Sequence, residues 1–183
     1  MKKKDLHVIL FLILAAAVLL KGTHIRSVEE YYRTHIDDIT PESETVFISI
    51  RCNTVLNNRD KLNPALQSDE FVPPDGVILQ KSEYVLREGD TAFDMLERAV
   101  RANRIQMEYQ GGNLNVYNSV YVQGINYLYE FSCGPLSGWM YLVNGVFPNY
   151  GSSKYTLCDG DTVEWVYTCD LGCDVGCEWM EGG

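Results

Sequence analysis

The hydrophobic positions form one uninterrupted apolar run near the N-terminus, followed by a long region in which apolar and polar residues alternate. Residues 8–20 are all apolar and follow Lys2, Lys3 and Lys4, the pattern of a signal peptide or signal anchor. The run is shorter than the ~20 residues that a membrane-spanning helix normally needs. The pattern predicts four segments: the leader 1–21, a stalk or linker with a short helix at 22–44, a globular domain at 45–177 and a tail at 178–183.

One segment of the domain has the pattern of an α-helix. Phe93, Leu96 and Val100 recur at helical spacing, which predicts an apolar face packed on the core. Thr91 is a typical N-cap residue, and Asp94 lies in the first turn that would follow it. The main helix is therefore predicted at about residues 91–103.

Most other patterned segments favour strands. Residues 45–52 alternate well enough for a strand, and the segments after 105 are rich in Tyr, Val and Trp with breaks at Gly and Asn. Asn144 and Gly145 predict a tight hairpin turn, because both central positions of a type I′ turn need positive φ. Residues 126–129 are expected in a strand with Tyr127 and Tyr129 on one face. The predicted fold class is α+β, a mostly antiparallel sheet with one main helix, preceded by an N-terminal apolar helix.

Charge and histidine content narrow the functional classes. The formal net charge is −10, which disfavours nucleic acids and anionic lipid head groups as partners. His7, His24 and His35 all precede the domain, so Ser-His-Asp and Cys-His catalytic systems and the commonest zinc sites are excluded from it. We expect no enzyme and no metal site; a pair of carboxylates acting on sugars is the catalytic alternative.

The cysteines are candidates for disulfides. There are six: Cys52, Cys133, Cys158, Cys169, Cys173 and Cys177. An even number in an exported chain favours disulfides, although the sequence does not determine which cysteines pair. The paired Cys-x2–4-Cys knuckles of zinc ribbons and the C-x-x-C redox spacing are absent. Metal binding and free thiols remain the alternatives.

An aromatic stretch at 138–150 is the candidate ligand site. In a strand, Trp139 and Tyr141 share one face, and an aromatic loop follows directly. Exposed aromatic clusters often mark ligand sites, and flat rings suit flat ligands or sugars. The alternative is that Trp139 and Tyr141 are core residues. The candidate ligand-binding residues are Trp139, Tyr141, Asn144, Phe147, Asn149 and Tyr150.

Several motifs carry a family resemblance. Residues 138–145 read GWMYLVNG, followed by the DGD turn at 159–161 and YTCD at 167–170, while EGDTAFDML at 88–96 opens the helix. In order and spacing they resemble the transcobalamin-like C-terminal domain family, a domain of unknown function on exported bacterial proteins, over roughly residues 45–176. The resemblance implies a β-grasp-like fold. It also implies that Cys52, Cys133 and Cys169 occupy positions where cysteine recurs, and that Cys158, Cys173 and Cys177 are additions. We therefore expect CDLGCDVGC at 169–177 to be an oxidised C-terminal clasp with Cys173 and Cys177 in extra disulfides.

The resemblance also implies a function. Similar domains in vertebrate cobalamin carriers close over cobalamin held by a separate helical barrel, for which this chain has too few residues. We therefore expect an exported or membrane-anchored, non-catalytic module that binds a cobalamin-like or other small molecule, with no cofactor of its own. The alternative is a cell-surface interaction or adhesion module that binds protein or glycan. The expected location is extracellular or the outer face of the cell membrane, with membrane contact through residues 1–21 if these are not cleaved.

Overall fold

A computed structural model describes residues 37–115 and 118–177. The predicted leader, N-terminal apolar helix and tail, and most of the predicted stalk, lie outside these residues. A compact unit begins at Ile39. Within the described ranges, no helix is long and apolar enough to cross a membrane.

The described elements follow one another in a β-rich order. They are β1 Thr45–Arg51, α1 Asn53–Leu56, β2 Val77–Val85, α2 Ala92–Asn103, β3 Met107–Gln110, β4 Tyr121–Ile125, β5 Leu128–Tyr129, β6 Gly138–Val143 and β7 Thr162–Thr168. This is the α+β class predicted from the sequence, with one main helix.

The main sheet has the strand order β2-β1-β7-β6. Its two central strands, β1 and β7, are parallel, while β2 and β6 pair with them in antiparallel fashion as the edges. Two parallel central strands with antiparallel neighbours and one packed helix form a β-grasp arrangement. The remaining strands form a small antiparallel sheet in the order β3-β4-β5.

The core lies between the main sheet and α2. Along β1, Val46, Ile48 and Ile50 are fully buried while the residues between them are partly exposed, because successive strand side chains point to opposite faces. The predicted helix stripe is confirmed, since Phe93, Leu96 and Val100 are all buried.

Local signals set the bounds of α2. The Thr91 hydroxyl accepts from the Asp94 N–H, and the Asp94 carboxylate accepts from the Thr91 N–H, which makes a capping box. At the other end Arg104 has a φ of 56° and ends the helix. The predicted cap and bounds at about 91–103 are confirmed.

Two turns test the strand predictions. The predicted turn at Asn144 and Gly145 is confirmed, with φ values of 51° and 78° and hydrogen bonds in both directions between Val143 and Val146.

The expected strand at 126–129 is wrong in its first half. Asn126 and Tyr127 have φ values of 53° and 64° and form the tight turn between β4 and β5. Two adjacent positive-φ positions are rarely occupied by Asn followed by a bulky Tyr, so the sequence contains no recognisable signal for this turn.

The C-terminal segment packs on the face of the main sheet that α2 does not cover. A Cβ at Gly172 would lie 3.0 Å from both the Met140 sulphur and the Cys177 Cβ, so these three residues pack together. Val166 of β7 and Cys177 are both fully buried. The CDLGCDVGC stretch therefore acts as a cover for the end of the sheet.

Candidate functional site: an aromatic groove beside strand β6

An open groove of about 480 Å³ lies beside β6. One wall is β6 and the loop after it; the other is the start of β4 and the residues before it. The lining residues are Asn115, Ser119, Val120, Tyr121, Trp139, Met140, Tyr141, Phe147, Pro148, Asn149, Tyr150, Gly151 and Lys154. We call this the aromatic groove.

Trp139 belongs both to the core and to the groove. Its ring makes an edge contact with Tyr167, with centroids 5.2 Å apart, and its indole N–H donates to the Leu128 carbonyl at 2.7 Å. Only 9% of the residue is exposed. The two interpretations of Trp139, as a core residue and as a ligand contact, are therefore both compatible with its position.

Tyr141 begins a row of packed aromatic rings. It stacks on Trp165 with centroids 5.6 Å apart and makes an edge contact with Tyr155. Its hydroxyl donates to the Tyr150 carbonyl at 2.7 Å, which ties the loop after β6 back to the strand. Burial raises the pKa of the Tyr141 phenol well above its usual range, so the phenol is a hydrogen-bond donor at neutral pH.

Tyr150 ends this row at the surface. Its ring stacks on Tyr155 with an interplanar angle of 11° and a centroid distance of 5.6 Å. Yet 51% of the residue remains exposed. One aromatic face is thus held by a neighbour while much of the side chain is open to solvent.

The two walls are joined at their base by serines. The Ser119 and Ser153 hydroxyls are 3.0 Å apart, and the Ser153 hydroxyl accepts from the Val120 N–H at 2.9 Å. Gly151 lies against this junction, since a Cβ there would sit 1.7 Å from the Ser119 Oγ. The close approach of the walls therefore requires a residue without a side chain at 151.

The groove has little charge of its own. Among the described residues that line it, Lys154 is the single charged side chain and no carboxylate is present. The other polar groups are neutral amides and hydroxyls. This contrasts with the acidic chain as a whole and suits a largely apolar ligand with neutral or anionic polar groups.

A second depression of about 360 Å³ continues from the aromatic groove. The two share Tyr121, Trp139 and Met140. The walls of this second lobe are the turn at 131–138 and the end of β7, and its rim carries large exposed apolar side chains: Phe131, Leu136 and Leu171. Burial and a hydrogen bond to Glu130 raise the pKa of Tyr121, on the shared rim, to about 12.

The structure brings five of the six candidate ligand residues to one groove. Trp139, Tyr141, Phe147, Asn149 and Tyr150 all line it. Asn144 is not among the lining residues, because its amide is used in the turn: it donates to Asp161 and accepts from the Thr162 N–H.

Sequence reasoning missed the opposite wall. Tyr121, Asn115 and Ser119 precede β6 by about twenty residues and had no local signal of their own. Tyr127, by contrast, lies away from the groove, where its ring packs on Phe71. The sequence around Tyr121 and Tyr127 does not show which of them lines the groove. Only the pairing of β4 with its neighbouring strands places Tyr121 in the groove and Tyr127 outside it.

The cysteines occupy several separate places. Cys52, Cys133, Cys169 and Cys177 are buried, while Cys158 and Cys173 are exposed. No two sulphurs lie at bonding distance, so the expectation that all six form disulfides finds no support here. Within the described ranges, no three His, Cys, Asp or Glu side chains are grouped as metal ligands.

Comparisons with known proteins give one family match. Residues 89–169 match the model of a family described as a domain of unknown function (DUF4430), which is also known as transcobalamin-like. A search of curated proteins gave no match. Among solved structures, a crystal structure of haptocorrin in complex with Cbi is similar over 73% of this chain, with 15% identity and a TM-score of 0.46. This chain spans 27% of that haptocorrin chain. The family resemblance is thus supported for residues 89–169, and the match assigns no ligand.

Proposed function

We propose that the domain is a non-catalytic ligand-binding module and that the aromatic groove is its binding site. The observation that carries the proposal is an open cavity of about 480 Å³ lined by aromatic rings and neutral polar groups. Small-molecule sites are commonly concave, ~300–1,000 Å³ in volume and largely apolar, with a few polar groups that fix orientation.

The lining indicates the kind of ligand. The partly exposed Tyr150 ring offers a rigid flat surface because Tyr155 supports its other side. Asn149 and Lys154 add hydrogen-bond donors around it, whereas the Asn115 amide already donates to the Gly111 and Ser119 carbonyls. A flat, mostly apolar molecule with amide or anionic substituents fits this chemistry, and a cobalamin-like compound is one such candidate.

Two features favour binding over catalysis. All three histidines lie before residue 36, and no carboxylate lines the described part of the groove. General acid–base chemistry most often uses histidine or a carboxylate within hydrogen-bond reach of the reacting atoms, so the described lining lacks its most common catalytic groups.

The test is calorimetric titration of the purified protein with cobalamin and with cobinamide. We expect saturable binding that Tyr150→Ala weakens about tenfold, equivalent to ~1.4 kcal/mol of lost aromatic contact. The matched control is Tyr127→Ala, because Tyr127 is 50% exposed, as Tyr150 is 51% exposed, but lies outside the groove. Binding that both variants weaken equally, or no heat at millimolar ligand, would refute corrinoid binding at this site.

The second candidate is a surface interaction module that binds protein or glycan. The second lobe favours it, since Phe131, Leu136 and Leu171 form an exposed apolar rim continuous with the aromatic groove. Exposed apolar patches of this kind often mark interaction sites. Glycan and peptide array binding that Leu136→Lys abolishes and Leu114→Lys leaves intact would support this candidate over small-molecule binding; Leu114 is exposed and lies outside both lobes.

We further propose that residues 1–21 export the domain, either as a cleaved signal or as a membrane anchor. The support is the basic start followed by the apolar run 8–20. Expression in a bacterial host followed by cell fractionation and N-terminal sequencing tests it. A domain recovered in the cytoplasm with its leader intact would contradict the proposal.

A further inference from the structure

Two buried cysteines lie against α1 and the residues that directly follow it. The Cys133 thiol donates to the Asn58 carbonyl at 3.3 Å, and the Cys169 thiol contacts the Thr54 Oγ1 at 3.8 Å. Thr54 lies in α1, and Asn58 lies two positions after the helix ends at Leu56, with its side-chain amide donating to the Thr54 carbonyl at 3.0 Å. Both thiols therefore lie against the same short segment, residues 54–58.

The two thiols also lie close enough to influence each other's protonation. Each thiol is among the groups that shift the pKa of the other, although 36 positions separate them in sequence. Cys133 is fully buried and Cys169 is 7% exposed. Burial raises the pKa of each thiol, which keeps both protonated at neutral pH and slows their reaction in the folded state.

The other four cysteines have different surroundings. Cys158 and Cys173 are exposed, Cys177 lies beside Gly172 and Met140, and the pKa of Cys52 is raised by burial in a setting with Arg59 and Asp75. Among the described residues, Cys133 and Cys169 are thus the two buried thiols that contact the same short segment, residues 54–58.

We propose that Cys133 and Cys169 are a redox pair that forms a disulfide, cross-linking the turn at 131–138 to the end of β7. The oxidant is an external disulfide, either a small molecule such as oxidised glutathione or a thiol-disulfide oxidoreductase. One cysteine loses its proton and attacks the external disulfide, which expels one thiolate and leaves a mixed disulfide. The second cysteine then attacks the mixed bond and expels the second thiolate. Two electrons and two protons pass from the pair to the external disulfide, which becomes two thiols.

The cross-link would join the two walls of the second lobe. Ser137 follows Cys133 by four residues and lines one wall, while Thr168 directly precedes Cys169 and lines the other. The turn is already held by a bond from the Cys133 N–H to the Ser137 hydroxyl at 3.0 Å. A covalent bond here would fix the geometry of the lobe whatever ligand the aromatic groove takes, so the inference does not depend on the proposed function.

Peptide mapping tests the pairing directly. The protein is refolded with reduced and oxidised glutathione, its free thiols are alkylated, and it is digested without reductant by trypsin and an enzyme that cleaves before aspartate. This digest gives the peptide 105–154 with Cys133 as its sole cysteine and the peptide 161–169 with Cys169 as its sole cysteine. The expected product is these two peptides joined, with a mass two hydrogens below their sum. Alkylated Cys133 and Cys169, or either one joined to another cysteine, would overturn the proposal.

Stability provides an independent readout. A disulfide that closes a loop of this size should raise Tm by about 10 °C, and adding dithiothreitol should remove that gain. The Cys158→Ser/Cys173→Ser variant should keep this response, whereas Cys133→Ala/Cys169→Ala should lose it. A wild-type Tm that reductant does not change would contradict a structural cross-link, and the peptide map remains decisive if the second variant fails to fold.

Discussion

The helix-covered face of the main sheet and the groove beside β6 use aromatic residues in opposite ways. In the core, Trp165 and Tyr167 are almost fully buried, and the Tyr167 hydroxyl donates to the Tyr129 carbonyl. In the groove, Tyr150 stacks on Tyr155 and remains 51% exposed, and Tyr121 remains 43% exposed. Rings covered on all sides contribute packing energy, whereas rings supported on one side remain free to contact a ligand.

The two regions meet at Trp139 and Tyr141. Both side chains share the core face of β6 with their cross-strand partners Tyr167 and Trp165, yet both also line the groove. Because the same residues anchor the fold and shape the site, their substitution would change both. Tyr150 is therefore the better probe of binding.

The largest expected effect comes from Leu96→Ala on the core side. Leu96 is fully buried, so truncation should lower the free energy of unfolding by about 2–5 kcal/mol through lost burial and an unfilled cavity. Tyr150→Ala should cost well under half of that, because much of its side chain is already exposed. Urea unfolding measures both, with the exposed Arg101→Ala as a control on the same helix. If Leu96→Ala and Tyr150→Ala lowered the free energy of unfolding equally, the proposed difference between core and groove residues would be wrong.

An intermediate effect is expected from Gly151→Ala at the base of the groove. The new methyl would lie 1.7 Å from the Ser119 Oγ and 2.3 Å from its Cβ, so the walls must separate. We expect a loss of about 1–3 kcal/mol from overpacking, together with weaker ligand binding.

Adding Ser119→Gly to that variant is the matched control. It removes both clashing atoms and should restore part of the stability, less the contribution of the Ser119–Ser153 hydrogen bond. Full stability and unchanged binding in Gly151→Ala alone would show that the walls are not fixed at this point.

The smallest effect is a titration at the rim. Burial, followed by the hydrogen bond to Glu130, raises the pKa of Tyr121 from 10.0 to about 12. A phenol whose pKa is raised by folding contributes stability that is complete below pH 10 and is lost as pH rises through 12. NMR of ¹³C-labelled tyrosine, with Tyr121→Phe to assign the signal, measures this value. Glu130→Gln should lower it and Glu83→Gln should not; a Tyr121 pKa near 10 would contradict the hydrogen bond between Tyr121 and Glu130.

Local sequence signals predicted the secondary structure where one interaction dominates. The α2 helix has its cap, apolar stripe and Glu97–Arg101 pair within thirteen residues, and the turn at Asn144 and Gly145 depends on two residues that tolerate positive φ. The turn at Asn126 and Tyr127 failed the same reasoning, because the pairing of β4 with β5 imposes a conformation that Tyr127 does not itself favour.

One wall of the candidate site could be predicted from the sequence, again because its residues are close together in the chain. Phe147, Asn149 and Tyr150 form a contiguous polar and aromatic loop, so their composition pointed to the surface. The Asn144 side chain lies outside the groove because its amide closes the turn after β6, and the amide chemistry that binds ligands also closes turns.

The sequence by itself determined the α+β class, the main helix, the turn after β6 and the aromatic character of the site, because each depends on residues close together in the chain. Only the tertiary structure decided that β1 and β7 pair in parallel, that Ser119 and Tyr121 face Tyr150 across a groove, and that Cys133 and Cys169 contact the same segment, residues 54–58. Those contacts join residues about 30 to 115 positions apart. Their partners are selected by the shared core, which buries the most apolar surface in one arrangement, and no local pattern records that choice.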